Sequence, residues 1–443
     1  MIKKNEFRDF SLLTEVDLVS RSGSVARKLP EEFVLMASPQ PAFFIVLSAA
    51  IIKESKIHIV PSNYRGKDTP QVWVVPSEST ATAEELGKKV MSQDQLVIEA
   101  KVDIKDAENS IEEMLSSSGS EMVFLTSTTE RKVPLKIPEL MALCELVSRL
   151  IPPFNINLFP LDHVLSLIAS FFLPVKEKGL SVITPAFLSP QERILTAAFR
   201  TGIKNVLIPP LSYHRTISSL GNLEKGLRQK IEQMRFLVKG RIKAWDRNSQ
   251  NLYGRRNDVN IYGFTESGGA VAWRTFRDGK FFRTIGEITA RESSDLNGEL
   301  EFSIPGFRGG KFIRSRDIGE VLDGGKRFKL LGRKEQIIVR HEKEISIAEV
   351  EDYFLRKARF IKDIHISFSS GELKALVVAD AEAVAKKIGV EYPSTEELER
   401  FLYCEMKKLN SRLPVYAQLD SFYAVPGIPY SHREKVSQNS SIF

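Results

Sequence analysis

From residue 32 onward the chain alternates short apolar runs with longer charged stretches of helical period, and no other feature limits its fold as strongly. The runs FVLMAS, IHIVPS, VWVVPS, MVFLTS, LSVITP and NVLIPP end in Ser, Thr or Pro, as buried strands do where they enter a loop. Such strands, separated by helical stretches, build an α/β layered domain. Ligands on layered folds gather beyond the carboxyl ends of the strands, so the loops that follow the runs are where chemistry is expected. At 443 residues, 42% apolar and 27% charged, the chain can bury a large core and exceeds one ordinary domain. The stretches Ala42–Ile52 and Val164–Val175 are too short to cross a bilayer as helices and read as buried core.

The texture changes near residue 285, where GELEFSI, KFIRSRDIGEVL and KRFKLLG read as hairpins. After Gly332 a new unit is expected: a strand in QIIVR, a helix from about Ile347 to Arg359, strands in IKDIHISFS and LKALVVAD, a helix from about Thr395 to Ser411, and a final strand. The expected organisation is therefore α/β. A large N-terminal domain (residues 1–333), layered with a β-rich end, joins a small α+β C-terminal domain (334–443) near Lys334 and Glu335.

The opening MIKKNEFRDFSLLTE lacks the sustained apolar stretch of a secretory signal. Cys144 and Cys404 stand far apart without metal-ligand spacing, which fits a reducing cytoplasm better than a disulfide framework or a structural zinc site. The formal charge of +7 favours anionic partners in general. No nucleic-acid module or aromatic-interleaved basic stripe accompanies it, so nucleic acid is not the expected partner, and the basic run from Lys225 to Lys243 reads as a solvated helix face.

Several segments have chemistry to offer. Leu125 to Lys136 reads LTSTTERKVPLK, so Thr126, Ser127, Thr128, Thr129 and Lys132 follow an apolar strand and offer hydroxyl, backbone N–H and cationic contacts to a polyphosphate. Ile261 to Arg274 reads IYGFTESGGAVAWR. Here Tyr262 supplies a ring for a base, Gly263 a tight turn, Thr265 a hydroxyl and Glu266 a carboxylate suited to Mg²⁺, with Gly268 and Gly269 just behind. Asp317 ends a strand-like piece, Arg333 follows a glycine at the expected domain junction, and Lys435 lies near the C-terminus. Each of these three is unremarkable alone, as a turn acid or a surface charge.

Taken in order, the segments resemble the adenylate-forming superfamily of acyl-CoA synthetases, fatty-acyl-AMP ligases and firefly luciferases. The similarity runs from roughly residue 30 to residue 437. Its specific part is the ordered set of the Thr/Ser-rich loop, the histidine segment Leu161–Leu167, Tyr-Gly-x-Thr-Glu at Tyr262–Glu266, Asp317, Gly332-Arg333, the helix start Ser346–Glu351 and Lys435. ESGGAVAWR looks closest to the shorter synthetases of bacterial fatty-acid and aryl-polyene pathways.

The resemblance implies that a fatty or aromatic carboxylate attacks the α-phosphate of ATP to give an acyl adenylate, and that a thiol of coenzyme A or of an acyl carrier protein's phosphopantetheine then displaces AMP. It assigns adenine stacking to Tyr262, the α-phosphate to Thr265, Mg²⁺ to Glu266 and the ribose hydroxyls to Asp317 and Arg333. Lys435 would bridge the substrate carboxylate and the α-phosphate. Glu335 takes the hinge position, and His163 with Gly268 the acyl pocket.

The chain departs from the family at its glycines. The phosphate loop reads TSTTERK without one, Ser166 stands in the histidine segment, Glu342 follows His341, Glu434 precedes Lys435, and VKGRIK replaces the turn upstream of Tyr262. Backbone room for phosphate is therefore reduced while the nucleotide-binding side chains remain. An active ligase with differently shaped loops is expected. The alternative is a catalytically impaired homologue that binds a nucleotide, an acyl group or a partner.

Overall fold

Each of the apolar runs forms a strand. A computed structural model describes residues 22, 25–37, 41–61, 64, 70–76, 79–86, 88–98, 117–125, 131–184, 188–240, 257–294 and 298–428. In its 6-stranded sheet the spatial order is Lys89–Ser92, Val72–Val75, Glu32–Met36, Lys56–Val60, Glu121–Leu125 and Lys132–Lys136. All run parallel except the last, which turns back on Glu121–Leu125 with Lys132 opposite Leu125. Strand periodicity sorts the side chains: Phe33 and Leu35 enter the central core, whereas Val34 and Met36 join Trp73 on the opposite face.

The larger, 11-stranded ladder has two halves. Leu180–Ile183, Phe154–Asn157, Asn205–Ile208, Arg235–Lys239 and Val259–Tyr262 are mutually parallel. Their crossovers are helices with readable ends: Pro190–Thr201 begins with Ser189 accepting from the Glu192 amide and stops at Gly202, which adopts φ 74°. From Ala272–Thr275 on, the pairing is antiparallel through Phe281–Thr284, Arg327–Arg333, Ile313–Leu322, Glu299–Ser303 and Thr289–Glu292. The hairpins expected after residue 285 are this half. Tyr262 thus ends the last parallel strand, where the sheet changes character and side chains from both halves converge.

One correction concerns the basic run at Lys225 to Lys243. Among the described residues of this run only Lys225–Glu232 is helical; Arg235–Lys239 is an interior strand, with Phe236, Leu237 and Val238 fully buried and Lys239 only 7% exposed. Three consecutive apolar residues suit a parallel strand covered on both faces, and the flanking charges obscured them.

The helices Pro41–Ile52 and Ile137–Val147, with the helical stretch from Val164 to Lys176, share one hydrophobic core with both sheets. The helix Pro41–Ile52 is apolar on every side because a sheet or helix covers every side. Among the described residues no helix is long and apolar enough to cross a membrane.

The smaller C-terminal part has its own core. Phe354, Ile364, Val384, Leu402 and Met406 pack between the helices Ile347–Lys357, Ala381–Ile388 and Thr395–Asn410 and a three-stranded sheet. In that sheet Glu372–Ala379 lies between antiparallel Ile361–Ser369 and parallel Ser421–Ala424. Ser346 caps the first helix through the Glu349 amide and donates its hydroxyl hydrogen to the Leu331 carbonyl at 2.7 Å, tying the helix to the strand Arg327–Arg333.

Phe354 is fully buried in this second core. Phe354→Ala should lower the stability of the C-terminal part by about 3–5 kcal/mol. Hydrogen exchange should show lost protection in Ile361–Ser369 and Glu372–Ala379, with the amides of Glu32–Met36 little changed; unaltered protection in the first two strands would contradict this account of the core.

Candidate functional site

The loop after Val259–Tyr262 is held by its own backbone. Gly268 N–H donates to the Thr265 carbonyl at 3.0 Å, Gly269 N–H to that of Phe264 at 3.1 Å and Val271 N–H to that of Tyr262 at 2.9 Å. Thr265–Ser267 forms a single 3₁₀ turn, and the Ser267 hydroxyl donates to the Phe264 carbonyl at 2.8 Å. Two glycines are required sterically. A Cβ on Gly263 would lie 2.3 Å from the Gly269 carbonyl oxygen, and one on Gly268, at φ 74°, would lie 2.0 Å from Leu143 Cδ1. The turn therefore presents Thr265 and Glu266, both half-buried, away from the core.

Behind the turn, Asp317 is 4% exposed and doubly engaged. It faces Arg333 across the antiparallel register, and Arg333 Nε lies 3.0 Å from its Oδ1, while the Tyr262 hydroxyl donates to its Oδ2. Its own backbone N–H donates to Ser315 Oγ at 3.1 Å. Burial pushes the Asp317 carboxyl up from its usual range, against the opposing pull of Arg333, Tyr262 and Lys239. Burial, and then the adjoining Asp317 charge, push the Tyr262 phenol well above its usual value. Lys239, from the neighbouring parallel strand, donates to the Gly263 carbonyl.

Tyr262 as a whole is 7% exposed. Phe264, Phe282, Phe302 and Phe328 surround it, with centroids at 6.5, 5.5, 5.7 and 5.4 Å. In this conformation little ring surface is left for a base to cover, and the hydroxyl's bond to Asp317 is the more evident use of the residue.

In front of the turn a cleft of about 530 Å³ opens. Arg131, Arg308, Arg314, Arg316 and Lys334 line it, against the carboxylates of Glu266, Glu299 and Glu335. Arg131 is ion-paired with Glu266. Burial first, then the nearby Arg316 and Arg308 charges, lower the proton affinity of Arg131. A guanidinium on the Glu266 carboxylate engages part of its lone-pair capacity and repels a divalent cation. Among the described residues no group of three or more His, Cys, Asp or Glu side chains could hold a metal ion. Glu266, the residue to which the resemblance assigns Mg²⁺, is thus engaged by Arg131 in this structure.

The residues singled out in the sequence are only partly brought together. Tyr262, Gly263, Thr265, Glu266, Asp317, Arg333 and Glu335 meet around the turn and the cleft. Lys132 is exposed and is not among the residues lining the cleft; its charge bears instead on His58. His163 precedes the helix Val164–Leu167 and packs beside Phe159, with ring centroids 5.3 Å apart. Near it Ser166 is fully buried and accepts from Asn157 Nδ2 at 2.7 Å, so this serine is held in place by a buried hydrogen bond. Thr126, Ser127, Thr128, Thr129 and Lys435 lie outside the described residues. Sequence reasoning missed Arg131, Lys239, Arg308 and Arg316. Arg316 stands beside Asp317 in the sequence, which was a signal, whereas Arg308 is far from every motif.

No family model matches the chain. Over 139 residues, 31% of the chain, it is 31% identical to a 4-coumarate–CoA ligase of Cereibacter sphaeroides, and that match spans 30% of the relative's length. Solved structures match far more of it. MatB of Rhodopseudomonas palustris, bound to ATP, gives a TM-score of 0.69 at 16% identity, over 95% of this chain and 91% of that one. The o-succinylbenzoate coenzyme A synthetase MenE of Bacillus subtilis, in complex with ATP and magnesium ion, gives 0.69 at 14% over the same shares. The anthranilate CoA ligase AuaEII, in complex with anthranoyl-AMP, gives 0.72 at 12%, over 95% and 89%. The chain thus shares its fold with these solved structures, a likeness of fold across 95% of its length.

Proposed function

We propose that the protein activates a carboxylic acid with ATP and passes the acyl group to a thiol. A carboxylate oxygen attacks the α-phosphorus, the bond to the bridging oxygen of the β-phosphate breaks, and pyrophosphate leaves. A thiolate then attacks the acyl carbon and AMP departs. The observation that carries this reading is Asp317, held buried between Tyr262 and Arg333 beside a cleft lined mostly by cations. A carboxylate oxygen has more than one lone pair, so Asp317 can accept ribose hydroxyls while keeping its present partners. The cations of the cleft suit the α-phosphate and the departing pyrophosphate, stabilising charge that grows on the leaving group.

The ligand-bound states of the neighbouring folds support a nucleotide site here and, by the complex with anthranoyl-AMP, an acyl adenylate beside it. A fatty or aromatic acid is the substrate class in this reading, bordered by His163 and Gly268. The acceptor is coenzyme A or a carrier-protein phosphopantetheine. Lys435 bridges the substrate carboxylate and the α-phosphate, and Thr265 contacts that phosphate. The C-terminal part, taken to begin at residue 334, turns about Lys334 and Glu335 to admit the thiol.

A second reading, nucleotide binding without turnover, is favoured by one observation: Arg131 occupies Glu266, the carboxylate on which the resemblance places the metal.

Carboxylate-dependent exchange of labelled pyrophosphate into ATP tests the first reading. Exchange is expected with at least one member of a panel of aliphatic and aromatic acids and should be lost in Lys435→Ala. A silent panel, with ATP still bound in calorimetry, would favour the second reading. Arg333→Ala removes the partner that holds Asp317 and should weaken AMP binding about tenfold or more, the loss of a charge-assisted hydrogen bond of roughly 1.5–3 kcal/mol. An unchanged AMP affinity would remove Asp317 and Arg333 from the nucleotide site.

A further inference from the structure

We propose that Arg131 acts as a built-in cation at Glu266, so that the cleft takes the polyphosphate of ATP without a divalent metal. This inference rests on the nucleotide site of the preceding reading.

The placement of Arg131 is fixed by the backbone. It immediately precedes the strand Lys132–Lys136, whose antiparallel register puts Lys132 opposite Leu125. Consecutive strand side chains point to opposite faces. Lys132 is exposed and does not line the cleft, while Arg131 does and reaches Glu266. The sequence offers two neighbouring cations and the fold sends only the first to the cleft.

Three features distinguish the pair from an ordinary surface salt bridge, which would be worth little. First, the Glu266 side chain is only 18% exposed and belongs to the 3₁₀ turn that Gly263 and Gly268 pack in place. Second, Arg308 and Arg316 lie close enough to lower the proton affinity of Arg131. Three guanidiniums brought together repel one another, an arrangement better satisfied by an anion than by a single carboxylate. Their positions are also built. Arg308 donates from Nη2 to the Pro134 carbonyl at 2.8 Å and from its backbone N–H to Glu139 Oε1 at 3.2 Å, and the Arg316 backbone N–H donates to Glu299 Oε1 at 3.0 Å. Third, the lining of the cleft holds five cations against three carboxylates, with one of the five, Arg314, paired to Glu301 outside that lining. That balance favours an anionic ligand.

A guanidinium has five N–H donors in a planar fork, so Glu266 can hold one edge of Arg131 while the other edge meets phosphate oxygens. Glu266 is then a positioning residue for Arg131. The same pairing gives the carboxylate a use other than holding a metal.

Calorimetric titration of the full-length protein with ATP, in EDTA and in millimolar Mg²⁺, tests the inference. The wild-type dissociation constant should differ less than about threefold between the two conditions, well under the tenfold that 1.4 kcal/mol represents. Arg131→Ala should bind ATP about tenfold or more weakly in EDTA. In Mg²⁺ it should recover, because Glu266 is then open to the metal. Glu266→Gln should lose affinity in EDTA without recovery, which separates an orienting carboxylate from a mere structural pair. Wild-type binding that strengthens tenfold or more on adding Mg²⁺, or an Arg131→Ala affinity in EDTA equal to wild type, overturns the inference and leaves the nucleotide site standing. Absence of ATP binding in both conditions overturns the nucleotide site as well.

Discussion

The buried Asp317 carboxylate is the point on which the rest of the site depends. It is reached by Tyr262 at the end of the last parallel strand and by Arg333 across an antiparallel register, while the backbone N–H of the same residue donates to Ser315 two residues back. A carboxylate taken this far from water is costly unless it is paired and hydrogen-bonded. Its partners therefore hold the parallel half of the large sheet, the antiparallel half and the start of the C-terminal part in one arrangement. Gly332 and Arg333 close the strand that leads to that part, and Ser346 reaches back to Leu331 from it. The same groups that would hold a ribose thus also fix where the smaller part begins.

Much of this was legible in the sequence because it rests on local rules. Apolar runs ending in Ser, Thr or Pro are strands, and Ser346 and Ser394 each cap the helix expected after them. The pairing of Asp317 with Arg333 could be anticipated from their order in a family pattern, and the hairpin register then makes it geometric. The strand Arg235–Lys239 was hidden because its basic ends resemble a helix face, whereas its three central residues decide the matter by burial.

What could not be read depends on contacts between residues far apart in the chain. The aromatic cage of Tyr262 draws on Phe282, Phe302 and Phe328 from three different strands, and no local pattern announces that a ring suited to stacking will be enclosed. The choice between Arg131 and Lys132 was equally out of reach. It turns on the pleat of one strand, and a shift of one residue in register would have exchanged them.

That dependence on register gives the missing glycines a physical context. A glycine-rich loop binds phosphate by letting the backbone approach and offering N–H groups, which requires residues without side chains. A loop with side chains at those places cannot use the same contacts, and an arginine anchored at the head of a strand is a direct substitute: it brings charge and a fork of donors without needing backbone room. Glu266 would repel phosphate if left bare, and its ion pair with Arg131 converts it from a repelling group into a support for an attracting one. The retained carboxylate, the lost glycines and the clustered guanidiniums are on this view one coupled change, in which the cation that faces the phosphates is carried by the chain itself.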